Sequence, residues 1–120
     1  EDGDFLILFG SAMVYVRAQS PKDDIPSVKA FATLVSDIKP SASLLGDLNE
    51  INQKLRFAKV MVVPIGAVID ATIPATTLSV DELHAILLEV SGAGDYFDTI
   101  LSEKHGGKTM GRDAGDVIDA

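Results

Sequence analysis

The chain has 120 residues and no cysteine; this suits one domain around one hydrophobic core and excludes disulfides, thiol nucleophiles and zinc–thiolate sites. Its formal net charge is −8, and the ten Lys and Arg residues form no basic run, which argues against nucleic acid and against anionic membrane surfaces as partners. No apolar stretch approaches bilayer-spanning length, and a chain without cysteine is expected in the cytoplasm.

The opening EDGDFLILFG passes directly from acidic residues into an apolar run, the pattern expected of a domain cut from a longer protein. Asp4–Gly10 is too short for a helix and too apolar for a surface strand, so a strand covered on both faces is predicted. Ala12–Gln19 alternates, with Val14, Val16 and Ala18 on one face and Met13, Tyr15 and Arg17 on the other, and Gly10-Ser11 reads as the hairpin turn between the two. SPKDDIPS is a loop. Ser27–Ile38 is a third strand, with Val28, Ala30, Ala32 and Leu34 opposed to Phe31, Thr33 and Val35. Pro26, which cannot donate a ladder hydrogen bond, marks this strand as an edge candidate.

Lys39-Pro40-Ser41 ends that strand, and Ser41 or Ser43 can cap the helix that follows. In LLGDLNEINQKLRF, Leu44, Leu45, Leu48, Ile51 and Leu55 share one helical side. Asn52 falls inside this apolar arc, with Asn49 and Arg56 on its rim. A buried amide without partners costs about 1–3 kcal/mol, so Asn52 is expected to tie the helix to backbone groups at a strand end. Phe57–Pro64 and Gly66–Ala75 are two further strands joined by a short turn, and Pro64 makes the first of them an edge candidate. Ser79 and Glu82 form a capping box, with Leu78 and Leu83 as a hydrophobic staple. The helix runs through Leu87 and Val90. A kink or a short break is predicted at Ser91–Gly94, because glycine inside a helix costs about 1 kcal/mol relative to alanine. Helical spacing resumes with Phe97, Ile100 and Leu101 inward, and His105-Gly106-Gly107 ends it.

Residues 1–110 thus read as one domain, and 111–120 as a flexible acidic tail. The element order is βββαββα. Hairpin-length connections imply an antiparallel sheet of about five strands with helices packed on one face, an α+β fold.

Few residues carry a chemical signature. HGGKTMG ends like a phosphate-binding loop, but Ser102 stands where that motif needs glycine, and a helix rather than a strand precedes it. Helix capping by Gly106-Gly107 explains the stretch better. His84 and His105 lie in no metal-ligand spacing, and a solvated or capping role is expected for each. Asp113, Asp116 and Asp119 lack the calcium-loop pattern. Asp95 with Asp98, and Asp47 with Glu50, are expected on exposed helix flanks. The reading is therefore no catalytic set, no metal site and no cofactor.

Leu45, Leu48, Asn49, Asn52, Phe57 and Lys59, with Glu82-Leu83 and the later Gly106-Gly107, form a pattern that resembles the YbjN-like family, grouped with type III secretion chaperones and including peptide-binding chaperone-like domains. The resemblance spans roughly residues 5 to 110. It implies no catalysis. It implies binding of extended or helical peptide segments, often by a homodimer, with sheet and helix surfaces as the platform. Family members usually begin with an additional helix, for which this sequence has no counterpart.

Two functional readings follow. In the first, the domain is a non-enzymatic chaperone- or adaptor-like module for a protein or peptide client, which adds a strand along a sheet edge. Phe5, Phe9, Tyr15 or Phe31 would then supply side-chain pockets. In the second, it is a small-ligand sensor or enzyme whose pocket lies between helices and sheet, lined by Asn49, Asn52, Arg56 and Lys59.

Overall fold

The computed structural model describes residues 5–10 and 12–109. Five strands form one antiparallel sheet: β1 (Phe5–Phe9), β2 (Ala12–Gln19), β3 (Ser27–Ser36), β4 (Lys59–Val63) and β5 (Gly66–Pro74). The helices are α1 (Ala42–Lys54) and α2 (Val80–His105). The spatial order is β1-β2-β3-β5-β4. The sheet is a three-stranded meander, extended by a hairpin that α1 delivers with its second strand inward. The α+β class and the βββαββα order agree with the sequence reading.

Both helices bury their apolar sides against one face. Leu44, Leu48 and Ile51 of α1 and Ile86, Val90 and Leu101 of α2 share one core with Val14, Ala30, Ala32, Leu34, Val60, Ala67, Ile69 and Ala71 of the sheet. The small residues Ala30, Ala32, Ala67 and Ala71 lie on β3 and β5, the inner strands, where they leave room for the helices above them. Ser41 caps α1 through its Oγ, 3.0 Å from the Leu44 N–H. At α2, Ser79 and Glu82 make the reciprocal capping box predicted from their spacing.

Several expectations change. The proline-led strand β3 is not an edge; it pairs with β2 on one side and β5 on the other. Pro26 lies just outside the strand, where no ladder bond is asked of it. The edges are β1 and β4. The alternation of β3 also fails near its end. A register shift between Thr33 and Val35 puts Val35 opposite Ala67 and leaves both Leu34 and Val35 fully buried. A bulge of this kind inserts one residue and re-aims those beyond it.

No break interrupts α2, which is a single helix of 26 residues. Gly94 is buried, and a Cβ built there would stand 3.2 Å from the Ala12 Cβ and 3.8 Å from Leu34 Cδ2. The glycine lets the helix lie close on β2 and β3, and that packing outweighs its weak propensity. Ile100 points outward and is exposed, while Asp98, expected on a solvated flank, is buried. The acidic tail lies outside the described residues.

After α2 the chain returns to the sheet. Ser36 and Lys108 exchange backbone hydrogen bonds of 2.8 and 3.0 Å. Gly107 has φ +86°, and a Cβ on it would meet Val35 Cγ1 at 2.4 Å and the Ser36 carbonyl at 2.5 Å. Gly106-Gly107-Lys108 is thus a packed turn after a helix C-terminus, not a phosphate cradle.

Candidate functional site

The face of the sheet opposite the helices has no covering layer among the described residues. Strand alternation puts Met13, Tyr15 and Arg17 of β2, Phe31 and Thr33 of β3, Val68 and Asp70 of β5, and Lys59, Met61 and Val63 of β4 on this side. The register aligns Leu6, Tyr15, Phe31, Asp70 and Lys59 in one row across all five strands.

Phe31 is the centre of this row. Its ring stacks on Tyr15 at 5.6 Å between centroids and an interplanar angle of 23°. The Arg17 guanidinium lies 5.0 Å and the Lys29 ammonium 5.4 Å from the Phe31 centroid, both within cation–π range. Asp70 is covered by its neighbours and pairs with Lys59 Nζ at 3.2 Å and Lys29 Nζ at 3.9 Å. Its Oδ1 is buried and makes no hydrogen bond; Lys59 reaches it as an ion pair only. Beside this cluster a shallow depression of about 320 Å³ crosses β5, lined by Phe31, Thr33, Met61, Val63, Val68 and Asp70. The surface is therefore an apolar floor bordered by cations. It can hold apolar side chains on the floor and carboxylates at its border.

Tyr15, Phe31 and Lys59, named from the sequence as binding residues, come together here. Lys29 and Asp70 are the members that sequence reasoning passed over. The available signal was parity: Lys29 shares the face of Phe31 by alternation.

The remaining predicted residues lie elsewhere. Asn49 is exposed on α1. Asn52 sits where α1 meets β4. Its Nδ2 donates to the Val60 carbonyl at 3.1 Å, and its Oδ1 accepts from the Val60 N–H at 2.7 Å. The amide thus pairs with β4 as a neighbouring strand would, and blocks the free edge at that residue. The Arg56 guanidinium lies 4.8 Å from the Phe57 ring centroid. Among the described residues, the cavities found include none of Asn49, Asn52, Arg56 and Lys59 in their lining. A separate cleft of about 280 Å³, between the start of α2 and the end of β5, includes Phe57, Ile73, Ala85 and Ile86 in its lining and none of those four.

The α1–β4 junction has a second fastening with no local sequence signal. Glu89 of α2 accepts three backbone hydrogen bonds of 2.7 Å each, from the N–H groups of Arg56, Phe57 and Ala58. Burial by itself would raise the Glu89 pKa, but the three N–H donors together outweigh it, and the group is held below its ordinary value. Asp47 is also lowered, first by its hydrogen bond with His105 and then by Lys104. The contacts are 2.6 Å to His105 Nε2 and 2.9 Å to Lys104 Nζ, and they pin α1 to the C-terminal turn of α2.

No curated protein matches the chain. The family model described as T3SS (YopN, CesT) and YbjN peptide-binding chaperone 1 matches residues 1–113, which includes every described strand and helix. The sheet with its two helices, the Asn52 junction and the packed Gly106-Gly107 turn all fall within that span. The chain belongs to this family of peptide-binding chaperones, TY-Chap1.

Proposed function

We propose that the domain is a non-enzymatic, chaperone-like module that receives a polypeptide segment on the open sheet face. The observation that carries the reading is the row Leu6, Tyr15, Phe31, Asp70 and Lys59, which sets an apolar and aromatic strip on β1, β2 and β3 beside a charged pair on β5 and β4. Family membership supports a peptide as the occupant. Charge narrows it further. Lys29 and Lys59 gather on one face of a chain whose net charge is −8, with Asp70 between them among the described residues. A client segment with apolar side chains and a flanking carboxylate fits this border by complementarity. Binding to such a surface weakens as salt rises. A cytoplasmic setting goes with this reading, and no helix among the described residues is long and apolar enough to cross a membrane.

The test uses labelled peptides of alternating apolar residues flanked by Glu, and the same peptides flanked by Lys. Fluorescence anisotropy is expected to show binding of the Glu series, loss of at least tenfold in affinity on Phe31→Ala, and weak binding of the Lys series. A photocrosslinking residue at Tyr15 is expected to capture the peptide, and one at Asn49 to miss it. Equal capture at both positions, or affinity unchanged by Phe31→Ala, removes the reading.

A further inference from the structure

The open face is uncovered from edge to edge among the described residues. A strand covered on both faces is expected at β1, yet Phe5, Leu6, Ile7 and Leu8 are exposed by 70, 49, 39 and 56%, because no described element reaches its outer side. Leu6 and Leu8 stand opposite Tyr15 and Met13, so the apolar floor continues through them. Toward β5 and β4 the floor becomes charged. Asp70 is one carboxylate between two ammonium groups, Lys59 at 3.2 Å and Lys29 at 3.9 Å, and its Oδ1 is buried without a hydrogen bond. One anion does not neutralise two cations, so the place keeps an attraction for a further carboxylate.

The sequence supplies such carboxylates. Residues 110–120, outside the described residues, read MGRDAGDVIDA, with one arginine against three aspartates. The apolar pair Val117-Ile118 stands between Asp116 and Asp119. This is the same pattern, apolar side chains flanked by carboxylates, that fits the face as a client. The acidic residues before β1, Glu1–Asp4, include no apolar side chain and do not match it.

The start of this segment is fixed close to the face. α2 ends in the helix layer, the Gly106-Gly107 turn brings the chain down to the sheet, and Lys108 pairs with Ser36. Thr109 is buried, which anchors the chain at the level of the sheet. The depression of about 320 Å³ lies at this same end. Thr33, Val63, Ile65 and Val68 line it, and Ser36 pairs with Gly66 beside them. Along β3, Thr33 is about 10 Å and Phe31 about 17 Å from Ser36. From Lys108 to Ile118 an extended chain spans up to about 35 Å. The segment therefore reaches the charged half of the face with slack to turn around the end of the sheet. So short a tether gives it a millimolar effective concentration there.

We infer that residues 110–120 of this chain occupy the open face, with Val117 and Ile118 on the apolar floor and Asp116 and Asp119 toward Lys29 and Lys59, and that a client displaces them. This seat rests on the open face being the client site proposed above. Tethering selects the chain's own segment over that of a second copy, which has no such local concentration. The contact covers the apolar floor between clients and lowers client affinity by the same competition.

The test uses the full chain at low concentration. A photocrosslinking residue in place of Ile118 is expected to join the same chain at open-face positions of β3, β4 or β5, as read by mass spectrometry of the digested monomer, and to do so less as salt rises. Val117→Ser with Ile118→Ser keeps the net charge and removes only the apolar pair. This double variant is expected to bind the Glu-flanked peptide about tenfold more tightly in anisotropy, the gain when a millimolar effective concentration acts through a contact on the order of 0.1 mM. Its circular dichroism is expected to match the wild type; if it fails to fold, the crosslink decides alone. Crosslinks scattered over helices and loops, or joining two chains, overturn the inference, and so does peptide affinity unchanged by the double variant. The two readings fail separately. Crosslinks at the open face with no peptide bound by any variant sink the client reading and leave the seat standing. Peptide binding that the double variant does not alter sinks the seat and leaves the client reading.

Discussion

Glu89 is the side chain whose removal tests the packing argument most directly. One carboxylate holds three consecutive backbone N–H groups at 2.7 Å, and so fixes the chain between α1 and β4 onto α2. Ala58 is buried, whereas Arg56 and Phe57 are exposed, so in Glu89→Ala water can satisfy two of the three donors. The loss is then one orphaned donor and the charge-assisted part of the other two bonds, about 2–4 kcal/mol in all. Glu89→Gln keeps an acceptor for Phe57 and Ala58 but turns an amide N–H₂ toward Arg56, with a cost of about 1–2 kcal/mol. Urea unfolding followed by circular dichroism measures both. The pH dependence has a definite sign. Because the folded Glu89 is held below its ordinary value, its stabilisation is complete above the unfolded pKa of about 4.3 and is lost as pH falls through the lower folded value. The gap between wild type and Glu89→Ala is therefore widest near neutrality and narrows in acid. A variant within ~0.5 kcal/mol of the wild type, or a gap that does not change from neutral to acid pH, would refute the reasoning.

Asn52→Ala strips both bonds from Val60, which is expected to cost about 1–3 kcal/mol in urea unfolding and to raise aggregation by opening the β4 edge; light scattering reads the second effect. Gly92→Ala, with open space around the added Cβ, is expected to raise stability by about 0.5–1 kcal/mol through helix propensity. Gly94→Leu is expected to lower it by about 1–3 kcal/mol through overpacking on Ala12 and Leu34, and thermal unfolding separates the two. Asp47→Asn is expected to remove part of the acid sensitivity of the wild type: its depressed pKa stabilises above the ordinary carboxylate range and not below it. A pH–stability profile of the variant checks this.

Element type and order, and facing in part, were legible in the chain because they depend on short-range chemistry; Leu45 and Ile100, placed inward by spacing, are exposed. Period-2 alternation in Ala12–Gln19 separated Val14 from Tyr15, and the Ser79–Glu82 spacing defined the start of α2 before any contact was known. The tie of Asn52 to a strand was legible too, although the residue is exposed rather than buried in the leucine arc. Strand neighbours were not legible. Pro26 forbids a ladder bond only at its own position, so it could not say that β3 is central, and β1's apolar run says nothing about whether another layer reaches it. The glycines at 92 and 94 carry the same local propensity, yet only Gly94 lies against Ala12. Glu89 and the backbone at 56–58 meet across more than thirty residues, and Lys29, Lys59 and Asp70 gather from three strands. Such juxtapositions follow from long-range packing and register, energies that no local window contains; in this protein they decided the open face, the bare edge and the latch at α1.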